Sequence, residues 1–184
     1  MANPLILPLL GQFIERPGHA YELTQRLIER YPHLEIRRSS VTTLISSLAA
    51  AGLVKAQRPR RVAGRPIRRT YELTEAGYAH VREQVAADIV AARAGSTRFV
   101  LALAYIGILP APKVADLLQQ RVAALDAERQ ALHVEHGLPE YQMLEVAYWQ
   151  TVLTAEIRWV TTLAERLQTD AIAWPRHKTP GRRA

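Results

Sequence analysis

Helix-forming runs in the first half of this chain are cut short by residues that helices do not tolerate. Leu5, Ile6, Leu9, Leu10, Phe13 and Ile14 follow helical spacing up to the Pro17-Gly18 break. Asn3-Pro4 in front offers a cap and then a proline whose missing N–H costs nothing at a first helical position. A second run, 20–31, places Tyr21, Leu23, Leu27 and Ile28 inward and stops at Pro32. A third starts at Ser39 or Ser40, either of which can accept from the free amides of a first turn. It turns Val41, Leu44, Ile45 and Leu48 inward and ends at Gly52, the residue type suited to the left-handed position past a helix. Helices this short do not stand alone, so each must bury its stripe against the others.

Segments 53–57 and 67–73 read as two short antiparallel strands, and Thr74 caps a fourth helix through Ala76, Val81, Val85, Ile89 and Val90 to Gly95-Ser96. Between Ile36 and Tyr71 lie nine basic residues and no acidic one: Arg37, Arg38, Lys55, Arg58, Arg60, Arg61, Arg65, Arg68 and Arg69. Two open the third helix; the other seven belong to the ribbon and its loop, broken by Pro59, Gly64 and Pro66. Guanidinium forks match phosphate oxygens in pairs, and a bent loop lets several follow a curved polyanion. The alternative is a basic run that is only solvated. Three helices, a ribbon and a following helix make a winged helix-turn-helix, in which the third helix enters the major groove and the wing holds backbone or minor groove. Arg37, Arg38, Ser39, Ser40, Thr42, Thr43, Ser46 and Ser47 lie along the side of that helix left free.

Charge divides the chain in the same way. Residues 1–92 hold 13 Lys/Arg and 8 Asp/Glu, a net +5, whereas 93–175 hold 7 and 9, a net −2. The remaining 176–184 carry four basic residues and no acid, and are expected to be a disordered tail. The expected organisation is therefore a DNA-binding domain over 1–92, a helical dimerisation or effector domain over 93–175, and the tail; the fold class is mostly α. The absence of cysteine excludes disulfides, thiolate metal sites and cysteine nucleophiles. Residues 5–10 are apolar but too short to span a bilayer and lack a basic flank, so the chain reads as cytoplasmic, with no membrane partner.

In the second half, Val146, Trp149, Leu153, Ile157, Val160, Ala164 and Leu167 recur at heptad spacing, the seam of a helix that pairs along its length. A second line, Tyr148, Val152, Ala155 and Trp159, lies off that seam. A helix apolar on two sides must be covered on both, and a second copy of the chain is the economical cover. The dimerisation residues expected are Val146, Leu153, Ile157, Val160, Ala164 and Leu167. Phe99, Tyr105, Tyr148, Trp149 and Trp159 are candidates for a pocket that takes a small planar aromatic effector; core and interface packing is the other reading. His133 and His136 share a helical face, but no third ligand is evident, so no metal and no cofactor are expected. No phosphate-binding glycine loop, G-x-S-x-G or H-E-x-x-H occurs, and the chain does not read as an enzyme.

Leu5-Ile6-Leu7-Pro8-Leu9-Leu10, Pro17-Gly18-His19-Ala20-Tyr21-Glu22-Leu23, Ala51-Gly52-Leu53-Val54, Gly64-Arg65-Pro66 and Tyr71-Glu72-Leu73-Thr74-Glu75-Ala76-Gly77 follow one another in an order that resembles the PadR family of bacterial transcriptional regulators. The likeness covers roughly 4–92, with Ala20 where the family's HGYEL signature has glycine. The segments 99–109 and 114–132 and Glu156-Ile157-Arg158-Trp159 resemble the helical domain of its longer members. The resemblance implies a dimeric DNA-binding regulator. It also implies a phosphate contact for the Tyr21 hydroxyl, the other reading of Tyr21 being a half-buried core residue. Ile45-Ser46 stands where the family has Tyr-Pro, and Thr42 where glycine is usual, so the base contact of that tyrosine does not carry over to Ile45.

The expected interface with double-stranded DNA is thus Tyr21, Arg37, Arg38, Ser39, Ser40, Thr42, Thr43, Arg58, Arg60, Arg61, Arg65, Arg68 and Arg69. Arg65 at the wing tip is the candidate for minor-groove insertion. The expected function is a homodimeric repressor on a near-palindromic operator, released by a small aromatic effector. The alternative is a non-regulatory dimeric interaction protein whose basic arm binds RNA or acidic partners.

Overall fold

The computed structural model describes residues 3–57, 69–132 and 137–175. The chain divides into two compact units, Met1–Gln84 and Val85–Ala184.

The first unit is a winged helix-turn-helix. Helix α1 (Ile6–Glu15) is buried almost all round, from Leu7 to Phe13 and including Pro8 and Gln12. It starts later than Asn3-Pro4 suggests. Asn3 Oδ1 accepts the Leu5 N–H at 2.9 Å and closes a turn ahead of the helix, whose N-cap is Leu5. Helix α2 (Ala20–Arg30) is capped by His19, whose Nδ1 accepts the Glu22 N–H at 3.1 Å. It buries Leu23, Thr24 and Leu27. Tyr21 and Ile28, expected inside, are exposed (50% and 42%) because they lie off that stripe. Thr24 Oγ donates to Ala20 O at 2.7 Å, which permits its burial.

Helix α3 (Arg38–Ala50) begins before either serine proposed as its cap; Arg37 is the N-cap and its side chain makes no capping bond. Val41, Leu44, Ile45 and Leu48 are buried as their spacing requires. At its end the Gly52 N–H donates to Ala49 O and the Leu53 N–H to Leu48 O, at 3.0 and 2.9 Å. This double closure needs a left-handed residue, and Gly52 has φ +73°.

Strands β1 (Val54–Ala56) and β2 (Tyr71–Leu73) pair antiparallel with Val54 opposite Leu73 and Ala56 opposite Tyr71. A further bond, Gln57 N–H to Thr70 O at 2.8 Å, continues the ladder toward the loop. On its other edge β2 bridges Gly18 through two backbone bonds between Gly18 and Tyr71, at 3.0 and 2.9 Å. The α1–α2 turn is thereby tied to the wing. Thr74 ends β2 and opens helix α4 (Glu75–Ala91): its Oγ accepts the Gly77 N–H at 3.0 Å and donates to Gly52 O at 2.7 Å.

The second unit takes the end of α4 and helices α5 (Thr97–Ala104), α6 (Ala111–Ala131) and α7 (Leu144–Gln168). Ser96 caps α5 through its Oγ, and α6 and α7 pack along one another. Trp174 donates its indole N–H to Leu109 O at 2.8 Å and holds the chain after α7 against the α5–α6 turn. At the centre lies Arg121, fully buried. Its Nε donates to Glu156 Oε1 at 2.7 Å, a second guanidinium nitrogen bonds the same oxygen, and Nη1 donates to Ile89 O and Ala92 O at 2.9 and 3.0 Å. The Phe99 ring lies 3.7 Å from its Cζ, and Glu156 Oε2 accepts the Gly95 N–H at 2.7 Å. One cation therefore closes the carbonyl end of α4 and joins α5, α6 and α7.

No described helix is long and apolar enough to cross a membrane.

Candidate nucleic-acid interface

The outward face of α3 follows from what its inward face consumes. With Val41, Leu44, Ile45 and Leu48 inside, Arg37, Arg38, Ser39, Thr42, Thr43, Ser46 and Ser47 are exposed and Ser40 is half-buried. Ile45 is buried and takes no part in that face. Three of the hydroxyls donate to the carbonyl one turn back: Thr42 to Arg38 O at 3.0 Å, Ser46 to Thr42 O at 3.2 Å, and Ser47 to Thr43 O at 3.1 Å. Each hydroxyl proton is thus satisfied within the helix, and lone pairs are left to accept from outside. The result is a short-chained polar surface that a groove can approach closely.

Tyr21 and Arg38 meet beside this face. The Arg38 Cζ stands 5.4 Å from the centroid of the exposed Tyr21 ring, and the His19 ring centroid is 6.5 Å from it. Arg69, at the base of the wing, borders the same cleft as Tyr21, Arg38 and Thr42. Among the described residues Arg37, Arg38 and Arg69 have no carboxylate partner. Lys55 does: it pairs with Glu72 at 3.2 Å across the strands, so one of the nine cations is already spent. The Gln57 amide, 2.7 Å from Glu72, and then Lys55 hold that carboxyl below the usual carboxylate range. Arg58, Arg60, Arg61, Arg65 and Arg68, the expected clamp of the wing, lie outside the described residues.

The expectations for the second half are redistributed. Leu153, Val160, Ala164 and Leu167 of the heptad seam are buried and Val146 and Ile157 partly so, within the chain, where α6 covers α7. That seam is therefore engaged by α6 within the chain. The line left outside carries Leu144, Tyr148, Ala155 and Trp159. The five candidate effector aromatics are split. Phe99 and Tyr105 are buried, Phe99 beneath Arg121; Tyr148 and Trp159 are exposed (65% and 50%), and Trp149 packs edge-on to Tyr148 at 6.0 Å. Among the described residues no cluster of His, Asp or Glu is placed to hold a metal, and His133 and His136 lie outside them. Sequence reasoning missed the Gly18–Tyr71 bridge and the Arg121 centre. Proline before Gly18 is the one local hint of the first, and nothing local marks the second.

Residues 6–83 match the model of the transcriptional regulator PadR-like family. No curated protein matches the chain. Among solved structures it is similar to Bacillus subtilis PadR in complex with operator DNA, at 14% identity over 90% of this chain and 99% of that one, with a TM-score of 0.44. It is also similar to the same protein in complex with p-coumaric acid, at 14% over 90% and 99%, TM-score 0.39. The PadR-like regulator BC1756 of Bacillus cereus matches at 10% over 90% and 98%, TM-score 0.37. The family is one of transcriptional regulators and not of enzymes. Across residues 6–83, the winged-helix unit with its exposed face on α3, the chain is similar to the PadR-like family of transcriptional regulators.

Proposed function

We propose that the protein is a homodimeric repressor that binds a near-palindromic operator and is released by a small aromatic effector. The observation that carries the DNA-binding part is the outward face of α3, hydroxyl-rich, led by Arg37 and Arg38 and free of carboxylates. Arg37, Arg38, Ser39, Ser40, Thr42 and Thr43 fix α3 in the major groove, Ser40 from a half-buried position. Tyr21 and Arg69 meet the sugar-phosphate backbone beside it. Arg58, Arg60, Arg61, Arg65 and Arg68 clamp the flanks, a role drawn from their place in the sequence alone. An occupied groove excludes other proteins from the same DNA, the simplest route to repression.

The dimer joins through the outer line of α7, since α6 already takes the inner one. Two copies set two recognition helices about one DNA turn apart, and an effector acts by favouring the form that does not fit that spacing or that surface. Selection of bound duplexes from a random pool at about 150 mM salt is expected to return an inverted repeat. Recovery of no motif sinks the regulator reading for this chain. If each copy neutralises about three to five phosphates, affinity falls with a log-log salt slope of roughly −5 to −9 per dimer. Sedimentation decides the dimer: Trp159→Lys is expected to give monomers with unchanged helix content, and a dimer that survives it places the interface elsewhere.

A further inference from the structure

Helix α1 has no basic residue in its last turn to offset the negative end of its dipole. The cation comes from α2 instead. Arg26, half-buried and one turn after Glu22, reaches back to that end: its Nη1 donates to Gln12 O and its Nη2 to Arg16 O, both at 3.5 Å. Glu22, on the same face of α2, pairs with the Arg16 side chain at 3.0 Å. Between these clamps lies the turn 16–19. Gly18 rests against the guanidinium, since a Cβ added there would stand 2.6 Å from Arg26 Nη2. The backbone N–H and C=O of the same glycine make the two bonds to Tyr71 that bridge the turn to β2.

We propose that Arg26 is a positioning residue for the wing. It holds the α1–α2 turn in the form that lets Gly18 pair with Tyr71, and so sets the direction of the wing base beside α3. The two strands of the wing have three residues each, too few to hold a direction of their own, and the Gly18 bridge is an edge contact that supplies one. Arg69, exposed and two residues before Tyr71, is carried by that base. Arg26 itself acts from behind. It follows Tyr21 by five positions, about 140° round the helix, and it is Tyr21 that borders the cleft beside α3. One planar fork holds two carbonyls at once, which the point charge of a lysine does not. The consequence for DNA rests on the proposed function, but the link from Arg26 to Tyr71 does not.

Amide hydrogen exchange on the full chain tests the link. Arg26→Met should lower the protection of the Gly18 and Tyr71 amides about tenfold more than that of the α3 amides, the factor one charge-assisted hydrogen bond supplies. Unchanged protection at Gly18 and Tyr71 overturns the proposal. So does an equal loss in α3, which would mean only a weaker fold. Arg26→Lys keeps the charge without the fork and should recover only part of the loss; full recovery would assign the effect to charge and overturn the positioning role. Gly18→Ala approaches from the other side, by displacing the guanidinium, and does not depend on the folding of Arg26→Met. It should give the same local loss, and the two changes together should cost less than the product of their separate effects. Losses that simply multiply overturn the link. With a selected operator duplex, Arg26→Met should leave the preferred motif unchanged and shrink the log-log salt slope by about two per dimer, one phosphate contact per copy. A slope that holds while the local protection is lost overturns the role at the wing. A chain that selects no operator fails the regulator reading, and the exchange result then decides the link by itself.

Discussion

Removing the charge of Glu156 tests whether the second unit is organised around Arg121. The guanidinium is fully buried and four of its N–H bonds are accounted for, two on Glu156 Oε1 and two on the carbonyls of Ile89 and Ala92. In Glu156→Leu the carbonyl bonds and the Phe99 ring remain, but the cation loses its only carboxylate among the described residues. Breaking one partner of a buried pair costs about 3–5 kcal/mol. The partial negative end of α4 offsets some of that, so about 3 kcal/mol is expected. Trp149, Trp159 and Trp174 all lie in this unit, so tryptophan fluorescence reports its unfolding selectively. With a urea slope of about 2 kcal/mol per molar, the midpoint falls by about 1.5 M. The double variant Arg121→Met/Glu156→Leu removes both charges and should recover most of the loss, because a packed apolar pair commonly matches a buried ionic one. A midpoint shift below about 0.5 M for Glu156→Leu, or a double variant as unstable as the sum of its parts, would refute the reasoning.

In the first unit, a Cβ added at Gly77 would stand 2.1 Å from Leu53 O, a backbone atom that cannot turn away. Gly77→Ala should therefore cost at least about 2 kcal/mol in thermal melting followed by circular dichroism, and an unchanged melting temperature would contradict the close approach. Thr74→Ala removes the cap of α4 and its link to Gly52 O, a loss of about 1–2 kcal/mol by the same measurement. The carboxyl of Glu72 should titrate below the ordinary range in an NMR pH series, and Gln57→Ala should move it back up. A lowered folded-state pKa contributes stability above the unfolded value and loses it as pH falls through the folded one, so the wing base weakens on acidification. A Glu72 titration that ignores Gln57→Ala would assign the shift to another group.

What could be read from the sequence was what local spacing encodes. Val41, Leu44, Ile45 and Leu48 keep helical phase without a gap, so both faces of α3 followed from them. Gly52 marked the helix end because the closing geometry needs its positive φ. Thr74 declared the start of α4 through its position before Glu75. Tyr21 misled because an aromatic beside leucines reads as core, while the stripe that α2 buries runs through Leu23, Thr24 and Leu27 instead. The Gly18–Tyr71 bridge joins residues far apart in the chain, and glycine carries no periodic signal. Arg121 was illegible for a stronger reason. Charged helix positions are ordinarily exposed, and its partners lie 29 to 35 residues away.

The long helix α7 shows where such reading stops in principle. A heptad line states that a helix pairs along its length but not with which partner. Two lines were visible, and either could have met a second copy. The chain supplies its own partner in α6, and the line with the regular spacing is the one it takes: Leu153, Val160, Ala164 and Leu167 go inside. That choice leaves Tyr148 and Trp159 outside, large rings whose exposure costs solvation unless something covers them. The two faces then answer to different forces. A change on the inner line alters the stability of each copy, whereas in the dimer proposed above one on the outer line alters association, which depends on concentration. A regulator reading paired half-sites feels both as weaker DNA binding, but only the second loss is reversed by raising the protein concentration.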